Sequence, residues 1–317
     1  MRPQDLVRDL GGLGLYTLAP QALRRLPRAS LVALADHLGD LVRRNARADA
    51  ALMADELRAT FDPPDPASVV RAAYRLRMLT ELEVLRFPSL TPRNIDQTVV
   101  IEGRHHLDDA LKHGRGAVAM LGHFGANLLV MPALGHRGVP MNQLSAPPTA
   151  WFGRRTDGRE NVLWRHVQER RWALEQALPA RLIDVFSFLR PAYDCLTRNE
   201  VLGLAWDGGG GSRWLEVPLG KRLASVPTQP WQLARTTGAL VLPCVVVHQP
   251  GEPAHRVVFD EAWPVAKSND RERDVSEAAT RYASWFSAWC TRHPDHYAPY
   301  LLLRRRVRDD DARPFFT

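Results

Sequence analysis

The 317-residue chain, 45% apolar, is long enough to bury one large core or two modest ones, which excludes a short peptide-like or scaffold-only module. The formal net charge is +7, carried by 39 Arg against 3 Lys (Lys112, Lys221, Lys267). That skew suits planar, bidentate recognition of anions better than a lysine-rich nucleic-acid tail, although a biased genome composition gives the same skew.

The 3 cysteines, Cys195, Cys244 and Cys290, are far apart and match neither a disulfide framework nor a zinc spacing, so a reducing compartment is expected and no metal is implied. The opening MRPQDLVRDLGGLGLYTLAP has charges on both sides of a short apolar patch and does not read as a signal peptide. The longest apolar runs, 117–121 and 239–247, fall well short of a bilayer span, so any membrane contact is expected to be peripheral.

From Ser30, a candidate cap, Leu31, Leu34, Ala35, Leu38, Leu41 and Val42 recur at helical spacing. A second helix is predicted after PPDPAS, with Ser68 as cap and Val69, Val70, Ala73, Leu76, Leu79 and Leu82 on one face. Residues 1–95 therefore read as a helical layer. From about 98 the texture changes to short β-rich runs at 99–101, 117–121, 139–143, 182–185, 201–206, 240–247 and 256–259. Segments 162–178 and 190–198 have the length of crossover helices, and a last helix is predicted over 275–290. The pattern predicts an α/β fold: a mixed sheet flanked by helices, over 96–310, in one domain with the helical layer. The tail after Arg308 is expected to fray.

Familiar templates are absent: there is no G-x-S-x-G, no Walker A loop and no H-E-x-x-H, and Gly208 to Gly211 do not complete G-x-G-x-x-G. The informative segment is A-V-A-M-L-G-H-F-G-A-N, where an apolar strand runs into His123 among small residues. Ligands of α/β sheets bind at the carboxyl ends of strands, and an imidazole with a pKa of about 6.5 can accept a proton from a hydroxyl or amine. A structural histidine is the plain alternative. A second strand ends at Asp207, which equally suits a turn before glycines.

GRGAVAMLGHFGAN (114–127), the Asp207 strand end, EVPLG (216–220), P-x-x-PWQLARTTGALVLP (227–243) and RHPDHY followed by RRR (292–306) occur in this order. Together they resemble the lipid A lauroyl/myristoyl branch of the lysophospholipid acyltransferase superfamily, which includes the phosphatidylinositol mannoside acyltransferases. The resemblance runs from about residue 10 to 308. It implies acyl transfer from acyl-CoA or acyl carrier protein, with no other cofactor, to a hydroxyl or amine of a glycolipid-type or phospholipid-type acceptor. The site it implies is cytoplasmic, at the inner face of a bacterial membrane, with no nucleic-acid partner. Within it, the His of an H-x4-D/E motif is the general base and the acid orients it.

His123 falls on that histidine, but Leu128 stands where the acid is expected. Three readings follow. Another group, Asn127, Asp207 or Glu160, orients His123; an amine acceptor needs less help from the base; or the chain is a non-catalytic lipid-binding scaffold. A variant of the transferase reading replaces the lipid acceptor by a soluble or carrier-bound metabolite. Phe124 and Gly125, beside the base, are substrate-binding candidates, as are Glu160 and Glu216 and the arginines Arg154, Arg155 and Arg159 of the GRRTDGRE loop, of which the arginines would meet phosphate. Arg304, Arg305, Arg306 and Arg308 are candidates for a membrane-surface contact. Trp151, Trp164 and Trp172 are candidates for an apolar groove, with core packing as the alternative.

Overall fold

The computed structural model describes residues 3–147, 162–252, 254–306 and 314–316. Four helices come first: α1 (Pro3–Leu23), α2 (Arg28–Asn45), α3 (Arg47–Thr60) and α4 (Pro66–Arg86). Two helix starts differ from the sequence expectation. Helix α2 begins at Arg28 behind Pro27, which leaves Ser30 inside its first turn. Helix α4 is capped by Asp65, whose carboxylate accepts from the N–H groups of Ala67 and Ser68; with Pro66 at the first helical position, Asp65 captures those donors before Ser68 can act.

Beyond them run β1 (Val99–Glu102), α5 (Arg104–Lys112), β2 (Ala117–Leu121), α6 (Val130–Gly135), β3 (Met141–Ser145), α7 (Val162–Glu175) and β4 (Arg181–Asp184). The chain continues through α8 (Arg190–Thr197), β5 (Val201–Ala205), a hairpin of β6 (Trp214–Leu219) and β7 (Arg222–Pro227), and α9 (Gln229–Thr237). It ends with β8 (Leu240–Val247), β9 (His255–Phe259), α10 (Arg271–Arg292) and α11 (Pro294–Arg306).

Seven strands form one sheet in the order β1-β9-β8-β2-β5-β3-β4, parallel except for the β8–β9 pair. The period of two along β2 divides the core. Val118 and Met120 face the layer that holds Trp206, Trp231, Tyr282 and Phe286; Ala117, Ala119 and Leu121 face the layer with Leu107, Leu129 and Leu134. With both faces covered, β2 and β8 are buried throughout, which is why they are continuous apolar runs in the sequence. The chain leaves β1 on one side of β2 and reaches β3 on the other, so the strand order switches around β2, the position at which sheets of this kind bind ligands beyond the carboxyl ends of their strands.

Helix α11 packs against α3 and α4 and so joins the helical layer to the sheet. The arginines at its end are engaged within the molecule: Arg306 pairs with Asp49, Arg305 lies 3.5 Å from Glu56, and Arg304 sits over the Phe315 ring. Residues 307–313, including Arg308, lie outside the described residues, but Phe315 beyond them is buried and its carbonyl accepts from the Ser225 N–H. The chain end thus folds back onto the hairpin instead of fraying there. No described helix is long and apolar enough to cross a membrane.

Candidate active site

The site is built by two parallel neighbours. Strand β2 pairs with β5 in a register that sets Leu121 against Ala205, and the Trp206 N–H donates to the Leu121 carbonyl just beyond. Carrying this register two residues further sets His123 against Asp207. The His123 Nδ1 is 2.7 Å from Asp207 Oδ1, and the His123 backbone N–H donates to Oδ2 at 2.9 Å. An acid that accepts a backbone N–H on one oxygen and meets an imidazole nitrogen on the other fixes Nδ1 as the protonated nitrogen. The Nε2 lone pair is left for chemistry.

Exposure separates the two partners. The His123 side chain is 42% exposed, whereas Asp207 is fully buried. A buried carboxylate is costly unless its oxygens are satisfied, and here they are. Tyr297 donates its hydroxyl to Oδ2 at 3.1 Å, and Tyr300 donates to the Asp207 backbone carbonyl. The Tyr300 ring also lies flat against the His123 imidazole, with centroids 4.3 Å apart and planes 1° from parallel. Both tyrosines come from α11, and burial next to Asp207 pushes their hydroxyls well above their ordinary pKa, so they remain donors.

The loop after His123 is held from beneath. Gly125 has a φ of 57°, in the left-handed region, and a Cβ there would overlap the Val246 carbonyl oxygen. Its N–H donates to the His296 carbonyl at 3.0 Å, and the His296 Nε2 accepts from the His248 N–H at 2.9 Å. That acceptor role makes Nδ1 the proton-bearing nitrogen of His296, which lies 3.1 Å from the Asp295 carboxylate. His293, Asp295 and His296 are close enough to suggest a metal cage, but a metal on Nδ1 would have to displace the proton that this arrangement places there. The cluster reads as a brace for the loop.

Among the described candidates, the structure brings His123 and Asp207 into hydrogen-bond contact. Asn127 begins a 3-10 turn, and its side chain makes no hydrogen bond among the described residues. Leu128 packs into the apolar layer on the far face of the sheet, so the place of the expected acid is part of the core. Phe124, expected to meet substrate, turns inward instead: 1% exposed, it stacks on His296 and meets the edge of Phe286. Glu216 is exposed on β6, opposite Ser225 across the hairpin. Arg154, Arg155, Arg159, Glu160 and Trp151 lie outside the described residues, while Trp164 and Trp172 are half-buried on α7. Sequence reasoning missed Tyr297 and Tyr300 as parts of the site, although the R-H-P-D-H-Y block that holds Tyr297 had already stood out.

The match to the bacterial lipid A biosynthesis acyltransferase model spans residues 10–308. The chain belongs to this family. The His123–Asp207 pair and its two tyrosines all fall inside the matched span, so this family member is an acyltransferase of a bacterial, lipid-biosynthetic type. Among solved structures it is similar to the 1-acyl-sn-glycerophosphate (LPA) acyltransferase PlsC from Thermotoga maritima, at 15% identity and a TM-score of 0.34 over 84% of this chain and 99% of that one. No curated protein matches it.

Proposed function

We propose that this acyltransferase moves an acyl group from the thioester of acyl-CoA or acyl carrier protein to a hydroxyl or amine, with His123 as general base. As the acceptor oxygen or nitrogen attacks the thioester carbonyl, its proton passes to Nε2. Asp207 holds the tautomer that leaves Nε2 free and stabilises the imidazolium that forms. Collapse of the tetrahedral intermediate breaks the C–S bond, and the leaving thiolate recovers the proton from Nε2. The observation that carries this reading is the 2.7 Å contact between Nδ1 of an exposed histidine and a fully buried, fully satisfied carboxylate. It supports an oriented base over an unassisted one and over an inactive scaffold, in which a buried acid aimed at an exposed imidazole has no task.

A glycolipid-type or phospholipid-type acceptor at the inner membrane face fits the family and the surface. Leu10, Leu18 and Leu41 are exposed on α1 and α2, as are Arg24, Arg25 and Arg44 in the same helical layer, an apolar and basic combination suited to an anionic bilayer surface. The test offers purified protein labelled acyl-CoA and acyl carrier protein donors with lipid and soluble acceptors. Transfer by the wild type that falls by about 10²–10⁴ in His123→Ala is expected. Equal transfer or donor hydrolysis by the two proteins would overturn the assignment, and transfer only to soluble acceptors would move it to metabolite acylation.

A further inference from the structure

Away from the dyad, a cavity of about 770 Å³ opens between α1, α2, α3, α4 and α7. The first turn of α3 lines it. At the N-cap of that helix stands Ala46, which has no side-chain oxygen to cap the N–H groups of the 14-residue helix, and no side chain among the described residues caps them. Arg47, Ala48 and Asp49, whose N–H groups belong to that turn, all face the cavity. Such a helix start carries partial positive charge and free donors, the combination that binds anions.

A second observation is independent of the first. Tyr74, on α4, lines the same cavity; it is 2% exposed, and its hydroxyl has no hydrogen-bond partner among the described residues. A buried hydroxyl without a partner is costly, and the groups around this one are Arg77 and Arg43. The charge balance completes the picture. Both acids at the cavity are occupied: Glu81 accepts from Tyr16 and Arg171, and Asp49 pairs with Arg306. Arg47 and Arg77 make no ion pair among the described residues. Val42, Met78 and the Tyr16 ring supply an apolar wall beside these donors.

We propose that this cavity is a second ligand site, which binds a phosphate group at the α3 start between Tyr74 and Arg77, its apolar wall accepting the carbon skeleton attached to that phosphate. The volume is that of a small-ligand pocket. The site stands apart from His123 and does not rest on acyl transfer.

Thermal unfolding and calorimetric titration of the full chain test it, with inorganic phosphate against chloride at matched ionic strength, then with CoA and a water-soluble short-chain phosphatidate. Phosphate should raise the Tm in proportion to its logarithmic concentration once saturating. Arg77→Gln should weaken phosphate binding about tenfold or more. Tyr74→Phe removes only the oxygen, so it should keep or raise the Tm without ligand while weakening phosphate binding by a similar factor. A purely structural tyrosine would not give that split. Phosphatidate binding well above that of CoA and phosphate marks a lipid head group as the source; equal binding marks soluble phosphoesters. No phosphate-specific response, or a response in both variants as strong as that of the wild type, would overturn the site. His123→Ala should lose transfer and keep the phosphate response, which separates failure here from failure of the catalytic assignment.

Discussion

His123 and Asp207, 84 residues apart, face each other 2.7 Å across the ends of β2 and β5, because the parallel register that closes at Leu121 and Ala205 leaves the residues just after each strand side by side. The H-x4-D/E pattern places an acid one short turn after the histidine; here a carboxylate reaches Nδ1 from the end of the neighbouring strand. The imidazole meets the same demand, a carboxylate on Nδ1, through tertiary structure in place of local sequence.

Asp207→Asn should therefore keep the fold and lose about 10³–10⁴ in kcat, since the amide can present its NH₂ to Nδ1 and favour the wrong tautomer. Circular dichroism with steady-state kinetics checks this. A variant with normal rates would show that Asp207 does not orient the base.

Restoring an acid at the motif position should not help. Leu128 packs against the apolar layer under β2, so Leu128→Glu places an unpaired carboxylate at that layer and should cost about 1–3 kcal/mol in stability with no gain in rate. Denaturant midpoints and initial rates measured on the same sample decide it; a faster enzyme would mean that the turn at Asn127–Leu129 can still present an acid to His123.

Tyr297→Phe removes one of the two hydrogen bonds to Asp207 Oδ2 and leaves the ring in place. The expected result is a fall in kcat of about tenfold with KM nearly unchanged, because the lost bond of about 1.5–3 kcal/mol acts on the carboxylate and not on substrate. A rise in KM alone would instead assign Tyr297 to substrate binding.

The pH dependence of stability should follow the histidines behind the site. Burial, then Arg28 and His296 nearby, pushes His248 down to about 4, and the same burial with His248 and Arg28 beside it pushes the fully buried His255 well below its ordinary value. In the unfolded chain both take a proton near 6.5, so below that pH the unfolded state holds more protons and stability falls as pH falls. His248 alone should account for about 3 kcal/mol lost between pH 6.5 and 4. Urea unfolding at pH 7 and pH 4.5 should show the loss, and His255→Gln should flatten it; an unchanged slope in that variant would remove His255 from the cause.

Much of the fold is visible in the sequence where burial is two-sided. The runs at β2 and β8 are apolar throughout and begin after glycine-bearing turns, so their limits coincide with the structure. Where apolar spacing is diluted, reading fails. Helix α11 contains histidines, an acid and Pro299, and its helical character comes from packing on α3 and α4. Helix α3, with alternating alanines and charges, gives a weak period of its own. At the site, His123 is legible from its strand end and small neighbours. Its partner is not, because the choice among Asn127, Asp207 and Glu160 depends on which strand lies beside β2, and strand order is a property of the folded sheet.

One consequence follows from the position of α11. The helix that donates Tyr297 and Tyr300 to Asp207 is also the element that Arg306 ties to Asp49 in α3. On a ribosome the early helices and the sheet strands emerge long before it does. Assembly of the site thus waits for contacts of high sequence separation, which form late and slowly. A chain stalled before α11 would hold His123 without the tyrosines that hydrogen-bond Asp207.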